Sequence, residues 1–385
     1  GSKALWEVSG SDDDMGFITS RPIITKANNG STVVIVSNGL NSTNDDPALF
    51  IYDLFTGTRL AKLLPIEKGG NDVFDNNGLS AATGVDQDVD GDVDYMYAGD
   101  MKGNVWKFDL SDNNPNNWEV ANNDYPLYSA KDSTGTITQS ISGGIAIGFD
   151  AEFNPWLYFG TGRYLTAGDP STTSVQTWYG IVDESTNTTI AGRGALKARK
   201  IVAAGELDNG SGTGVKVRAF EPQEFPSGVS DMYGKKGWYI DLVNPPFTAA
   251  QKVGERIVGT PVVRGTTVLV SSIIPSEDPC TVEGSGYVNA VDALTGSSGV
   301  YGSESYFDVN GGGFDNDKLV STIDGREISI GSIDLGIKMP TDALVLAGDT
   351  NELVVVGGSI GGTGSAPFRG TRAVGRISWH EMINN

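Results

Sequence analysis

Aspartate occupies every second position of one short run, Asp86-Gln87-Asp88-Val89-Asp90-Gly91-Asp92-Val93-Asp94. Carboxylates at positions one, three and five of such a run converge on a hard cation. A glycine at position six permits the sharp turn that folds the first half of the loop back onto the ion, and Gly91 stands there. The pattern predicts side-chain ligands at Asp86, Asp88 and Asp90 and a backbone carbonyl from Asp92. Asp94 would close the cage, directly or through a water. A helical calcium hand needs a glutamate at position twelve, where this chain has Tyr97. The residues that follow, Tyr95-Met96-Tyr97-Ala98-Gly99, read as strand, so the loop opens onto a sheet. The bland alternative is an acidic hairpin turn, in which carboxylates ~5 Å apart repel by about 1–3 kcal/mol per pair. Several such pairs would splay an ordered loop unless a cation neutralised them. Calcium, tolerant of many oxygen ligands, is the expected ion, with sodium and magnesium as alternatives.

Composition narrows what else the chain can do. Of 385 residues, 48 are acidic and 27 basic, a formal charge of −21. That balance argues against nucleic acid, which needs a basic footprint, and against an anionic membrane surface. No apolar run approaches the ~20 residues of a spanning helix, and no signal peptide is read. Gly1-Ser2 reads as a cleavage scar, so a fragment of a longer protein is expected, with 3–385 as one domain. The single cysteine, Cys280, excludes an internal disulfide and any cysteine-based zinc site. It reads as a buried small hydrophobe, with pairing to a cysteine in another domain as the alternative. His380 is the single histidine and lies near the end of the chain, where it reads as a surface or closing-strand residue. Histidine-based triads and general-base schemes thereby lose their usual source.

The 52 glycines, about twice the usual ~7%, imply many turns and many short strands. A loose repeat orders them. An apolar strand is followed, after a turn, by an aromatic-rich strand ending near an aspartate. Thr32–Gly39 leads to Ala48–Leu54, Asp94–Asp100 to Asn104–Leu110, and Trp156–Gly162 to Gln176–Asp183. Thr267–Ser271 leads to Gly286–Gly296, and Leu353–Gly357 to Gly375-Arg376-Ile377-Ser378-Trp379. A sixth aromatic strand, Gly237–Leu242, is expected to find partners in the less regular region before it. Units of this kind cannot bury both faces alone, so they pack radially. The expectation is an all-β fold, a modified β-propeller of six to seven blades closed near Trp379. Residues 183–236 are the least strand-like and read as an insertion or a worn blade, with a helix-compatible run from Arg193 to Leu207.

At this point the residues resemble a known family. Gly103-Asn104-Val105-Trp106-Lys107-Phe108-Asp109-Leu110, directly after the acidic loop, resembles the C-terminal propeller of the PilC/PilY family of type IV pilus tip-associated proteins. Phe159–Leu165, Gln176–Ile181, Lys235–Leu242, Ile274–Cys280 and Gly375–Trp379 are similar in the family's order. The resemblance implies calcium held on Asp86, Asp88, Asp90, Asp92 and Asp94. It implies a module that supports pilus assembly, opposes retraction and contributes to twitching motility and adhesion. Its setting would be the extracellular bacterial surface, at the fimbrium tip or the outer membrane. Partners would be pilus subunits (minor pilins) and host or surface ligands, reached through the full-length protein, with the fragment itself monomeric. Asp308-Val309-Asn310-Gly311-Gly312-Gly313-Phe314-Asp315 resembles a second loop of relatives, a weaker candidate with ligands at Asp308, Asn310 and Asp315. Gly312 stands where an acid is expected, and Asp315 and Asp317 fall out of phase.

Two other classes compete. An integrin-α-like propeller would repeat the calcium loop in consecutive blades, and here it is intact once; no Arg-Gly-Asp tripeptide occurs. A quinone-dependent dehydrogenase would also suit a tryptophan-rich propeller. Trp106, Trp178, Trp238 and Trp379 recur within the repeat, however, which reads as packing rather than a cofactor sandwich. No carboxylate pair stands out as catalytic, so no enzyme activity is expected.

Overall fold

Strands that are apolar on both faces need a cover on each side, and this chain meets that need by stacking small antiparallel sheets face to face. The computed structural model describes residues 5–8, 12–65, 77–276, 284–347 and 352–370. β1 (Ile23–Lys26), β2 (Thr32–Ser37), β3 (Leu49–Asp53) and β4 (Arg59–Leu63) form a first meander in that order. β5 (Thr83–Val85), β6 (Tyr95–Gly99), β7 (Asn104–Asp109) and β8 (Glu119–Val120) form the second, with β9 (Tyr128–Ser129) also on β7. β10 (Ala146–Phe149), β11 (Pro155–Gly160) and β12 (Thr177–Val182) begin the third.

The irregular stretch then contributes strands to two neighbouring sheets. β13 (Lys197–Arg199), β14 (Ile201–Asp208) and β15 (Gly214–Phe220) precede β16 (Gly237–Asp241). The aromatic strand β16 completes the third sheet between β12, antiparallel, and β13, parallel. The helix-compatible run is therefore strand after a single turn of 3₁₀ helix at Arg193–Ala195. Alanine-rich helix propensity is a weak preference there. Seven register pairs in the β14–β15 hairpin, from Ile201↔Phe220 to Asp208↔Gly214, override it.

β17 (Val262–Arg264), β18 (Thr267–Pro275), β19 (Gly284–Asp292), β20 (Lys318–Val320) and β21 (Glu327–Ile333) complete the largest sheet. It consists of two strand groups, β17–β18–β19 and β14–β15–β21–β20. Their seam is the short β19–β21 contact, Val288↔Ile333 and Asn289↔Ser332. β22 (Leu344–Leu346), β23 (Glu352–Gly357) and β24 (Thr363–Phe368) form the last sheet. β23 lies between β22 and β24, so the strand that follows it is β24, ahead of the expected Gly375–Trp379. That segment, with the expected ring closure, lies outside the described residues, as do Cys280 and His380. By strand group the described chain gives six units of a modified, all-β propeller.

The alternation of side chains makes the stack. β11 sends Trp156 and Tyr158 to one side, into a cluster with Trp238, Ile240 and Val268. Leu157 and Phe159 go to the other, among Tyr97, Val105 and Tyr179 of the second and third sheets. Met96, Ala98, Trp106 and Phe108 meet Val33, Ile35, Leu49 and Ile51 of the first sheet. Leu269, Val288 and Ala290 meet Val354, Val356 and Phe368 of the last. Each large apolar side chain buried this way contributes roughly 1.5–3 kcal/mol.

Two turns fasten tryptophans across this stack by one device. Asp53 accepts the Thr56 amide and hydroxyl at 2.8 and 2.9 Å. Asp292 does the same for Thr295 at 3.0 and 2.8 Å. The next residues, Gly57 and Gly296, have φ of +71° and +65°. A Cβ would fall 2.5 Å from the Trp6 ring at Gly57 and 2.3 Å from the Trp238 ring at Gly296. The indole N–H of each tryptophan donates to the same turn, Trp6 to Leu54 O and Trp238 to Ala293 O, both at 2.7 Å.

Candidate metal loop

The aspartate run connects β5 to β6. Val85 pairs with Tyr95, the Asp94 amide donates to Val85 O at 2.8 Å, and the residues between are lifted off the sheet. Two of them take left-handed backbone, Gly91 at φ +98° and Val89 at +62°. Glycine accepts this freely; a β-branched valine does not, so the exposed tip carries local strain.

Neighbouring sheets hold the loop at both ends. The Val93 amide donates to Lys26 O at 3.0 Å. The Asn28 side-chain amide donates at 3.1 Å to Val93 O, Leu110 O and the Asp94 carboxylate. The Gln87 side-chain amide donates to Phe153 O in the third sheet's first hairpin, at 2.9 Å. Within the loop Asp86 accepts the amides of Asp90 and Gly91 at 3.1 and 2.8 Å, and Asp94 accepts that of Gln87 at 2.7 Å.

These bonds gather Asp86, Asp88 and Asp94, each offering one carboxylate oxygen within 4.8 Å of the others. Asp94 is buried at the base, Asp86 half-buried, Asp88 exposed at the rim. Asp90 and Asp92 stand outside this group; Asp90 accepts the Asp92 amide at 2.8 Å. The carboxyl of Asp88 is pushed above its ordinary range by desolvation and then by the charges of Asp90, Asp94 and Asp86. Three hard oxygen donors gathered within 4.8 Å of one another suit a hard divalent cation, so the residues fit the expected ion.

In the second candidate loop Asp308 is buried, while Asn310 and Asp315 are exposed. Asp308 accepts the amides of Gly311 and Gly313, and Asn310 that of Gly312. The buried acid following Asp315 is Asp317, whose carboxylate accepts the Val309 amide at 3.1 Å.

Sequence reasoning missed Asn28, whose role depends on blade packing and leaves no local signal. It also missed a repeated anchor that was legible, Asp-x₃-Asn-x-Trp, at Asp100-Asn104-Trp106 and Asp150-Asn154-Trp156. Asp100 accepts the Asn104 amide, the Asn104 and Asn77 side chains and the Trp106 indole at 2.8–3.2 Å. Asp150 accepts the equivalent groups of Asn154 and Trp156 at 2.8–3.2 Å. Complete burial holds the Asp100 carboxyl above its ordinary range despite these donors. At the less buried Asp150, desolvation is outweighed and the carboxyl sits below it.

Comparison with known proteins gives this geometry its setting. The family model of the PilY1 beta-propeller domain matches residues 8–210. A type IV pilus biogenesis factor PilY1 homolog of Xylella fastidiosa is 36% identical over 77% of this chain and 20% of its own length. The type IV pilus biogenesis factor PilY1 of Pseudomonas aeruginosa strain PAO1 is 30% identical over 76% of this chain and 27% of its own length. The chain thus spans about a quarter of the length of these relatives. The crystal structure of the Pseudomonas aeruginosa PilY1 C-terminal domain superposes with a TM-score of 0.76 at 25% identity, over 95% of this chain and 74% of that one. Among the described residues no helix is long and apolar enough to cross a membrane.

Proposed function

The chain belongs to the PilY1 β-propeller family, and from that premise we propose that it serves as the calcium-binding module of a type IV pilus biogenesis factor. The observation that carries this reading is the Asp86–Asp88–Asp94 cluster in a family whose named members are pilus biogenesis factors. Asp86, Asp88, Asp90 and Asp94 are the proposed side-chain ligands and Asp92 the carbonyl ligand. Ion entry would draw the Asp90 carboxylate in from the Asp92 amide. Calcium then acts as an ordering switch, cancelling repulsion among the aspartates and fixing a surface between three neighbouring sheets. The fold is already held by its apolar clusters, so the ion adjusts the loop without building the domain.

The magnitude suits such a signal. At free calcium tenfold above its Kd, the bound form gains only ~1.4 kcal/mol over the ion-free form. That is enough to bias a reversible contact with pilus subunits or surface ligands, and so to govern assembly, retraction and twitching at the bacterial surface. The test is Asp94→Ala and Asp88→Ala in the intact protein, scored for surface pili and twitching in cells with and without active retraction. Asp88 lies at the exposed rim, so its loss should disturb the ion more than the fold. Altered piliation or motility in both variants is expected. Wild-type behaviour of both variants in both backgrounds would reduce the loop to a structural staple.

A further inference from the structure

The loop leading into β20 repeats the wiring of the first. In the first loop, Asp86 Oδ2 accepts the amide of Gly91, five residues on, at 2.8 Å. The closing Asp94 Oδ2 accepts the amide of the loop's second residue, Gln87, at 2.7 Å. In the other loop, Asp308 Oδ2 accepts the amide of Gly313, again five residues on, at 3.1 Å. Asp317 Oδ2 accepts the amide of Val309, again the second residue, at 3.1 Å. One extra residue separates opening and closing acids, which is why Asp317 falls out of phase in the sequence.

Wiring by itself shapes a turn; the other oxygen of Asp317 points to a ligand. Asp317 is 1% exposed, and its Oδ1 has no hydrogen-bond partner. A carboxylate oxygen withheld from both water and donors is unfavourable unless a cation or a proton sits on it. A proton there would itself be a buried donor in need of an acceptor. Several acids with buried side chains have basic partners, as Asp169 has Arg163, Asp231 has Arg199 and Glu255 has Arg218, while the buried Asp100 has neutral donors on both oxygens. Among the described residues no lysine or arginine pairs with Asp308 or Asp317.

We propose that Asp308, Asn310 and Asp317 form a second site for a hard divalent cation, calcium by preference, with Asp317 in place of Asp315 as the closing ligand. Two carboxylates and one neutral amide make it weaker than the first site, since affinity follows the count of charged ligands. The reading does not depend on the first loop.

The experiment is calcium binding to the whole 385-residue chain by equilibrium dialysis, with terbium luminescence as a second readout. Wild type should bind two ions, Asp317→Asn one, Asp94→Asn one and the double variant none. Asp315→Asn should still bind two. Should Asp317→Asn fail to fold by circular dichroism, Asp308→Asn takes its place, with the same expected loss of one ion. One ion in wild type, lost in Asp94→Asn, would overturn this site and leave the first intact; one ion lost only in Asp317→Asn would do the reverse. Two ions retained in both Asp317→Asn and Asp308→Asn would also overturn it.

Discussion

Val89 and Asp88 occupy the rim of the acidic loop, the first by its backbone and the second by its charge working against the conformation it adopts. Val89 holds a β-branched side chain at φ +62° while 69% exposed, so it gains little packing in return. Asparagine tolerates that backbone better, and Val89→Asn should raise stability by about 0.5–1 kcal/mol without calcium. Urea unfolding in chelator checks this, and a lower midpoint for the variant would contradict it. The loop was legible at this scale because its aspartates alternate within one nine-residue run and glycine marks the turn. What holds it was not: Asn28 lies 66 residues from Asp94, and only the packing of the first two sheets brings them together. Asp317 was obscured for a local reason, the one-residue lengthening of its loop.

Among the elements, the fastened tryptophans and the seam of the largest sheet carry the sharpest expectations. Gly296→Ala would place a methyl group 2.3 Å from the Trp238 ring at a backbone φ of +65°. Left-handed backbone costs about 1–2 kcal/mol and overpacking a further ~1–3 kcal/mol, so a loss of roughly 2–5 kcal/mol is expected by denaturant unfolding. A change under 1 kcal/mol would mean that the ring is not seated on this turn. At the seam, the fully buried Arg218 donates to both Glu255 oxygens at 2.7 and 2.8 Å and to Asn289 at 2.8 Å. Its guanidinium also stacks 3.7 Å from the Tyr287 ring centroid. Glu255→Ala strands that charge and should cost about 3–5 kcal/mol. The sequence announced most blade strands through short, nearly continuous apolar runs, as in β2, β6, β11 and β18. It did not announce β14, whose strand character comes from pairing with β15, nor the β15–β21 contact, which joins segments over 100 residues apart.

For the whole molecule, acid stability follows from buried acids of opposite kinds. Burial opposes the charge of Asp169, but the amides of Leu165 and Thr166 and the Arg163 guanidinium outweigh it. Burial likewise opposes that of Asp231 and is outweighed by Arg199 and Lys197. Both carboxyls therefore sit below their ordinary range. Their stabilisation is present above the unfolded value and is lost as pH falls through the folded one. Asp100, held above its range, acts in the other sense: its contribution is present at low pH and lost as pH rises through its folded value. As the lowered carboxyls of Asp169 and Asp231 protonate, the urea midpoint should fall below about pH 4. A midpoint that climbs through that lower range would contradict the balance.

On the proposed function, the acidic loop of this propeller holds calcium. An anomalous difference map from a calcium-soaked crystal of the 385-residue chain would locate the ion. The expected result is a strong peak between Asp86, Asp88 and Asp94, with oxygens at about 2.3–2.6 Å, Asp90 drawn in and the Asp92 carbonyl completing the shell. A calcium-saturated crystal with no peak in the 86–94 loop would contradict the account.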